Sequence, residues 1–400
     1  MTCADKHTRW TRGADELFLP DEIFVEREAE SYPLTTRILE RCPGVPVVPV
    51  EDSAALIKRF RDDPPSGFNG KRSLLLCRNR GRFLEACPGT GREYRCCLYL
   101  ILNTGLGCPL ACTYCVLQAY LNNPFLTLFV NRDDMFRELE RSARLAPGRF
   151  LRVGTGEYMD SLALEHLTGF VPAVAEFFRD RAHLLLELKT KTTNIASLLE
   201  NDYADSFIVS WSLNAAEICA GEESGTAPLL ERILAARCLI DRGYRVGFHF
   251  DPVIAYSGWQ EGYRATVELL KKHIPPERVV WISIGSLRFM PRLKAIAQAT
   301  FPHTAIYTGE FVPGLDGKMR YLQEIRLDLY ARLVGWLREY SKDILLYFCM
   351  ESPPVWNRSM GSAPASNWEL KQLLDCSLNG CAQAGIGSAL QRESWPPGVC

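Results

Sequence analysis

The sequence predicts an α/β protein built on a partial (β/α)6 TIM-like barrel with extensions at both ends. Three observations carry that prediction. Short apolar runs recur between residues 98 and 284, helical patterns separate them, and a cysteine-bearing loop follows the first run. Unbroken apolar runs suit strands buried on both faces, and strand–helix alternation builds a parallel sheet covered by helices.

Residues 1–30 are charged and aperiodic, and predict a loosely ordered arm. Residues 31–97 hold short mixed elements, including a strand at Leu74–Cys77 after the turn signal Pro64–Gly67, so 1–97 reads as an N-terminal extension. The barrel occupies 98–300, with strands at Leu98–Leu102, Phe150–Val153, Leu184–Leu188, Phe207–Val209, Val246–Phe250 and Val279–Ile284. Helical patterns fall at Asp133–Leu145, His166–Arg179, Ala227–Arg242 and Gly262–Lys272. Six units fall short of a full eight-unit barrel. Residues 301–360 read as a cap, with a helix at Asp328–Tyr340 and a strand at Ile344–Phe348. Residues 361–400, rich in Ser, Ala, Gly and Pro, predict a loosely ordered tail.

Composition narrows the function classes. A chain of 400 residues with 47% hydrophobic and 23% charged residues can bury a large core. No apolar run is long enough to cross a bilayer, and the first residues lack a signal-peptide core, so a cytoplasmic protein without a membrane partner is expected. Its 15 cysteines therefore read as thiols or metal ligands rather than disulfides. A net charge of −1 neither favours nor excludes nucleic acid.

Cys108, Cys112 and Cys115 lie directly after the first barrel strand, where barrel active sites are built. Three thiolates in eight residues can wrap one face of a metal or cluster, and three ligands leave a coordination position open. A zinc site completed by a distant residue, or buried free thiols, are the other readings of this spacing. Gly154–Glu157 follows the second strand; glycine lets a backbone approach closely, and a carboxylate suits an ammonium. Lys191, Ser212 and Asn214 stand just beyond later strands. A lysine suits a carboxylate and short polar groups suit hydroxyls, while the competing readings are a solvated lysine and helix caps.

The C-x3-C-x2-C loop after a strand resembles the radical S-adenosylmethionine (SAM) superfamily. Further blocks resemble the spore photoproduct lyase family within it: Ile23–Ala29, Tyr32–Thr35, Tyr114–Gln118, Glu165–Thr168, Gly225 to Pro228 with Arg232, Gly247 to Tyr263, and Ser286–Phe289. The resemblance implies a [4Fe–4S] cluster on Cys108, Cys112 and Cys115, with SAM on its open iron. It implies reductive cleavage of SAM to a 5′-deoxyadenosyl radical that abstracts hydrogen from a substrate, and an electron donor of the flavodoxin or ferredoxin type. Gly156, Glu157, Lys191, Ser212 and Asn214 are the implied SAM contacts; Tyr114, which matches an aromatic of the family's cysteine loop, and Glu157 are the implied catalytic residues. A nucleic-acid substrate is implied as well, with a catalytically inactive nucleic-acid-binding relative, or a non-nucleic-acid substrate, as the alternatives.

Two departures set this chain apart. The family's hydrogen-donating cysteine falls at Gly156, which has no S–H, and the tyrosine after its third cluster cysteine falls at Val116. The lyase's hydrogen return therefore cannot run unchanged, which makes this a divergent member. Cys87, Cys96 and Cys97 read as buried thiols ahead of an alternative hydrogen donor or a second metal site, and Cys349 as core packing ahead of a donor. Lys318, Arg320 and Arg326, with Arg288 and Phe289, interleave charge and aromatic character suited to phosphates and bases. The competing reading puts the basic residues on a solvated helix face. His249 with Asp251 reads as an orienting or proton-relaying pair, or as a satisfied core histidine.

Overall fold

A computed structural model of the chain describes residues 17–379, apart from 88, 90–92, 146–149, 182 and 205. Two sheets dominate it. The larger has eight strands. Seven run parallel in chain order: Leu100–Leu102, Leu151–Gly154, Leu184–Thr190, Phe207–Ser212, Arg245–Val253, Val279–Ser286 and Leu345–Phe348. Leu84–Ala86 adds an antiparallel edge beside the first. All six expected strands are present, and the Leu345–Phe348 strand of the expected cap joins them as the seventh.

The sheet curls into a partial barrel. Four strand positions separate the Leu151–Gly154 and Val279–Ser286 strands, roughly 19 Å on a flat sheet at about 4.8 Å per step. Arg152 nevertheless lies over the ring of Trp281, 5.0 Å from its centroid. The strands are apolar because helices cover their outer faces. Helix Phe170–Arg179, for example, buries Phe170, Val171, Val174, Ala175 and Phe178 along one stripe. The expected His166–Arg179 helix is divided at Gly169, whose φ of +52° closes the short turn Glu165–Thr168 before the longer helix starts.

The smaller sheet has five strands, in the order Val47–Val50, Glu22–Glu26, Ser73–Cys77, Leu126–Phe129 and Gly105–Leu106. Two of these strands come from beyond residue 97, so the extension and the barrel interleave. The loose arm expected over residues 1–30 is, from residue 17 on, an ordered part of this sheet; residues 1–16 lie outside the described residues. Its charged appearance misleads because Glu26 is buried with its bonds satisfied. It accepts from Ser53 N (3.1 Å), Ser53 Oγ (2.6 Å), Arg78 N (3.1 Å) and Arg80 Nη1 (2.9 Å).

The expected loose tail also differs where it is described. Asn367–Asn379 is a helix that buries Leu370, Leu374 and Leu378. It lies across the N-terminal ends of the barrel strands. Lys371 Nζ donates to the carbonyl of Phe150 (2.8 Å), and Arg245 donates to the carbonyl of Leu378. Residues 380–400 lie outside the described residues. Among the described residues, no helix is long and apolar enough to cross a membrane.

Candidate active site

The cysteine loop, Gly156–Glu157, Lys191 and Ser212–Asn214 all follow or end successive parallel strands, so the fold gathers them at the C-terminal mouth of the barrel. Gln118 Nε2 ties down the loop by donating to the carbonyls of Cys112 and Thr113 (both 3.1 Å). Lys71, from the N-terminal extension, donates to the carbonyls of Cys108 (2.9 Å) and Leu110 (2.6 Å). Opposite the loop, Glu223–Ser224 pairs antiparallel with Ala111–Cys112. Thr113 N donates to the carbonyl of Glu222 (2.9 Å), Tyr114 donates its hydroxyl to Glu223, and Tyr307 donates to the carbonyl of Thr113 (3.0 Å).

The electrostatics of the loop follow from burial. Burial pushes the Cys108 thiol up to about 12, while the backbone N–H of Leu110 works against that. Burial also raises Cys112 well above the ordinary thiol range; Lys191 opposes this rise and Glu223 adds to it. Thiols held this way give up their protons when a cation takes their place. Burial pushes the Glu223 carboxyl up as well, but Lys191 and Arg232 outweigh it and hold the group below the usual carboxylate range. Among the described residues, no three His, Cys, Asp or Glu side chains are gathered tightly enough to hold one metal ion.

Across the mouth, the stem of Lys189 packs on Gly156, and a side chain at 156 would collide with it. Burial disfavours the Lys189 ammonium, yet Glu157, Asp251 and Glu187 keep it charged. Asp160 organises the next turn: Oδ2 accepts from Lys191 N (2.7 Å), and Oδ1 from Thr190 Oγ1 (2.7 Å) and Leu162 N (3.0 Å). Lys191 Nζ stands 5.7 Å from the centroid of the Tyr114 ring, so it faces the cysteine loop.

Ser212 and Asn214 are both buried. The Ser212 carbonyl accepts from Arg232 Nη1 (2.9 Å). The Asn214 amide donates to the carbonyl of Pro252 (2.9 Å) and accepts from Tyr263, so its side chain ties two strand ends together.

Several expected groupings are rearranged. His249 pairs with Glu187 (2.8 Å) rather than Asp251, while Asp251 forms a two-pronged ion pair with Arg288 (2.9 and 3.0 Å). Arg320 is buried against Asp316 (2.8 Å) and Arg326 against Glu351 (3.0 Å), so neither lies on a solvated helix face nor stands free for phosphate. Cys349 is only partly buried and receives a bond from Arg288 (3.3 Å), so it belongs to the mouth rather than to the core. Cys96 is buried, while Cys97 and Cys87 are partly so.

Sequence reasoning missed Lys71, Asp160, Lys189, Glu222 and Glu223. Of these, only Glu222 and Glu223 carried a signal, in their nearness to the Gly225–Arg232 block.

A family model described as "Spore photoproduct lyase" matches residues 18–311, well over half of the chain. The chain belongs to the spore photoproduct lyase family. It is therefore an enzyme of the radical SAM lyase type on a radical SAM partial barrel. The "Spore photoproduct lyase" of Bacillus subtilis is 24% identical over 302 residues, covering 73% of this chain and 85% of that protein. That of Clostridium acetobutylicum is 24% identical over 290 residues, covering 71% and 83%. Among solved structures, a spore photoproduct lyase mutant with bound AdoMet and dinucleoside spore photoproduct superposes with a TM-score of 0.72 at 22% identity, over 83% of this chain and 99% of that one. A spore photoproduct lyase complexed with dinucleoside spore photoproduct gives 0.71 at the same identity and coverage.

Proposed function

We propose that Cys108, Cys112 and Cys115 hold a [4Fe–4S] cluster, that SAM binds beside it at Gly156, Glu157 and Lys191, and that the enzyme acts by radical chemistry on a nucleic-acid substrate. When bound there, the cluster and SAM would supply the chemistry of hydrogen-atom abstraction from the substrate. The observation that carries this reading is the placement of the three cysteines, Glu157 and Lys191 around one barrel mouth. The donor set fits the cluster: three thiols share one loop and leave a fourth iron open for SAM.

Each residue has a definite task in this reading. The Glu157 carboxylate receives the SAM ammonium, and Lys191 receives its carboxylate. Gly156, lacking a side chain, lets the Lys189 strand close over the turn that carries Glu157. Ser212, at the end of its strand, would offer a hydroxyl to the ribose. Asn214 acts through Tyr263 and Pro252 to hold that strand end, and Tyr114 acts through Glu223 to hold the loop; both are positioning residues. A reducing partner of the flavodoxin or ferredoxin type delivers the electron.

The substrate has a second reading. Arg288, Arg320 and Arg326, the arginines expected to grip phosphates, are each engaged by a carboxylate. That favours a radical SAM enzyme acting on something other than nucleic acid. Release of 5′-deoxyadenosine by the anaerobic enzyme, with reductant and SAM, separates the two. Stimulation by DNA or RNA supports the first reading; no response to any nucleic acid, with basal release intact, supports the second.

A further inference from the structure

We propose that the buried Glu223–Arg232 ion pair sets the reduction potential of the cluster, with Glu223 as the positioning residue that lowers it. The inference rests on the cluster assignment above and extends it to a residue outside the cysteine motif.

The pair is fully interior: its side chains are 1% and 0% exposed, and the two groups meet at 2.6 Å. Salt screens such a pair little, so its field reaches neighbouring groups. Its orientation is fixed at both ends. Glu223 stands directly opposite Cys112 in the antiparallel pairing, and its Oε1 accepts the Tyr114 hydroxyl, so the carboxylate is the end that faces the loop. Arg232 lies behind it, anchored by Nε to the carbonyl of Ala227 (2.7 Å), by Nη1 to that of Ser212 (2.9 Å) and by Nη2 to Thr226 Oγ1 (2.6 Å). The result is a fixed dipole, negative end toward the loop.

A cluster gains one negative charge when it is reduced. A negative group held nearby in a poorly screened interior opposes that gain, and nearby charge and hydrogen bonding are known levers on cluster potential. Neutralising Glu223 leaves Arg232 as an unbalanced positive charge and eases reduction. Neutralising Arg232 leaves Glu223 opposed by Lys191 alone, so more of its negative field reaches the loop and hinders reduction. A pair that merely braces the loop predicts no such difference in sign.

The test is a spectroscopic redox titration of the reconstituted holoprotein and its Glu223→Gln, Glu223→Asp and Arg232→Met variants, with iron and sulfide measured in each. The expected result is a shift to higher potential in E223Q, a value near the parent in E223D, and a shift to lower potential in R232M. If R232M does not fold, the comparison of E223Q with E223D decides alone. A parent potential in E223Q, or equal shifts in E223Q and E223D, overturns the proposal. If the parent protein itself takes up no iron or sulfide, the cluster assignment fails, and this inference falls with it for that separate reason.

Discussion

The Cβ of Lys189 lies 2.6 Å from the point where a β-carbon on Gly156 would stand. The Lys189 carbonyl oxygen is 3.2 Å from the same point, so backbone and side chain of one strand both close over the glycine. The position that the family resemblance assigns to a hydrogen-donating cysteine is thus short not only of its thiol but of the space for one.

Gly156→Ala should therefore destabilise the protein by about 1–3 kcal/mol, the usual range for overpacking. A denaturant titration measures it. A cost below about 0.5 kcal/mol, within the range of an ordinary surface change, would mean that Lys189 yields freely. For the same reason, Gly156→Cys should not raise repair of irradiated DNA above that of the parent protein. Robust dimer reversal by the parent protein would overturn the argument from the missing thiol.

Glu165 should make stability fall with rising pH. Burial pushes its carboxyl from the ordinary 4.5 up to about 7, although Val171 N and Phe170 N donate to it at the start of their helix. The folded protein thus holds a proton that the unfolded chain has lost. The stabilisation is complete below pH 4.5 and is lost as pH rises through 7, by about 3 kcal/mol at roughly 1.4 kcal/mol per unit. Glu165→Gln keeps an acceptor for the helix N–H groups and removes the titration. Its stability relative to the parent should therefore improve between pH 5 and pH 8, read by thermal unfolding at each pH. An unchanged difference across that range contradicts the assignment.

The helix Asn367–Asn379 should be a structural part of the barrel. Leu374 is 1% exposed within it, and truncating a buried leucine costs about 2–5 kcal/mol. Leu374→Ala should lower the unfolding midpoint accordingly. A change within a few tenths of a kcal/mol would mean that the helix is not held against the strands.

The barrel was legible in the sequence because its strands are buried on both faces and leave continuous apolar runs, as in Leu184–Leu188 and Val279–Ile284. Of the smaller sheet, only the apolar strand at Leu74–Cys77 was. Its strand Val47–Val50 is largely exposed, and Glu22–Glu26 carries a buried carboxylate whose partners Ser53, Arg78 and Arg80 lie at least 27 positions away. The C-terminal helix was hidden by composition, since its three buried leucines follow a segment of Ser, Ala and Pro.

Within the site, the cysteine spacing and the strand-end positions were local patterns and could be read directly. The groups that hold them were not local. Lys71 reaches the loop from 37 positions away and Glu223 from 109, and only the folded chain brings them together. The same holds for the arginines: their charge was visible in the sequence, but not the carboxylates that occupy them.

The measurement that tests the central claim most directly is anaerobic reconstitution of the parent protein and Cys112→Ala, with iron, sulfide and SAM cleavage followed together. The account predicts a parent protein that binds four irons per chain, about the number of one [4Fe–4S] cluster, and releases 5′-deoxyadenosine on reduction, while the variant does neither. Intact SAM cleavage in Cys112→Ala, or a loaded parent protein that leaves SAM uncleaved, would contradict it.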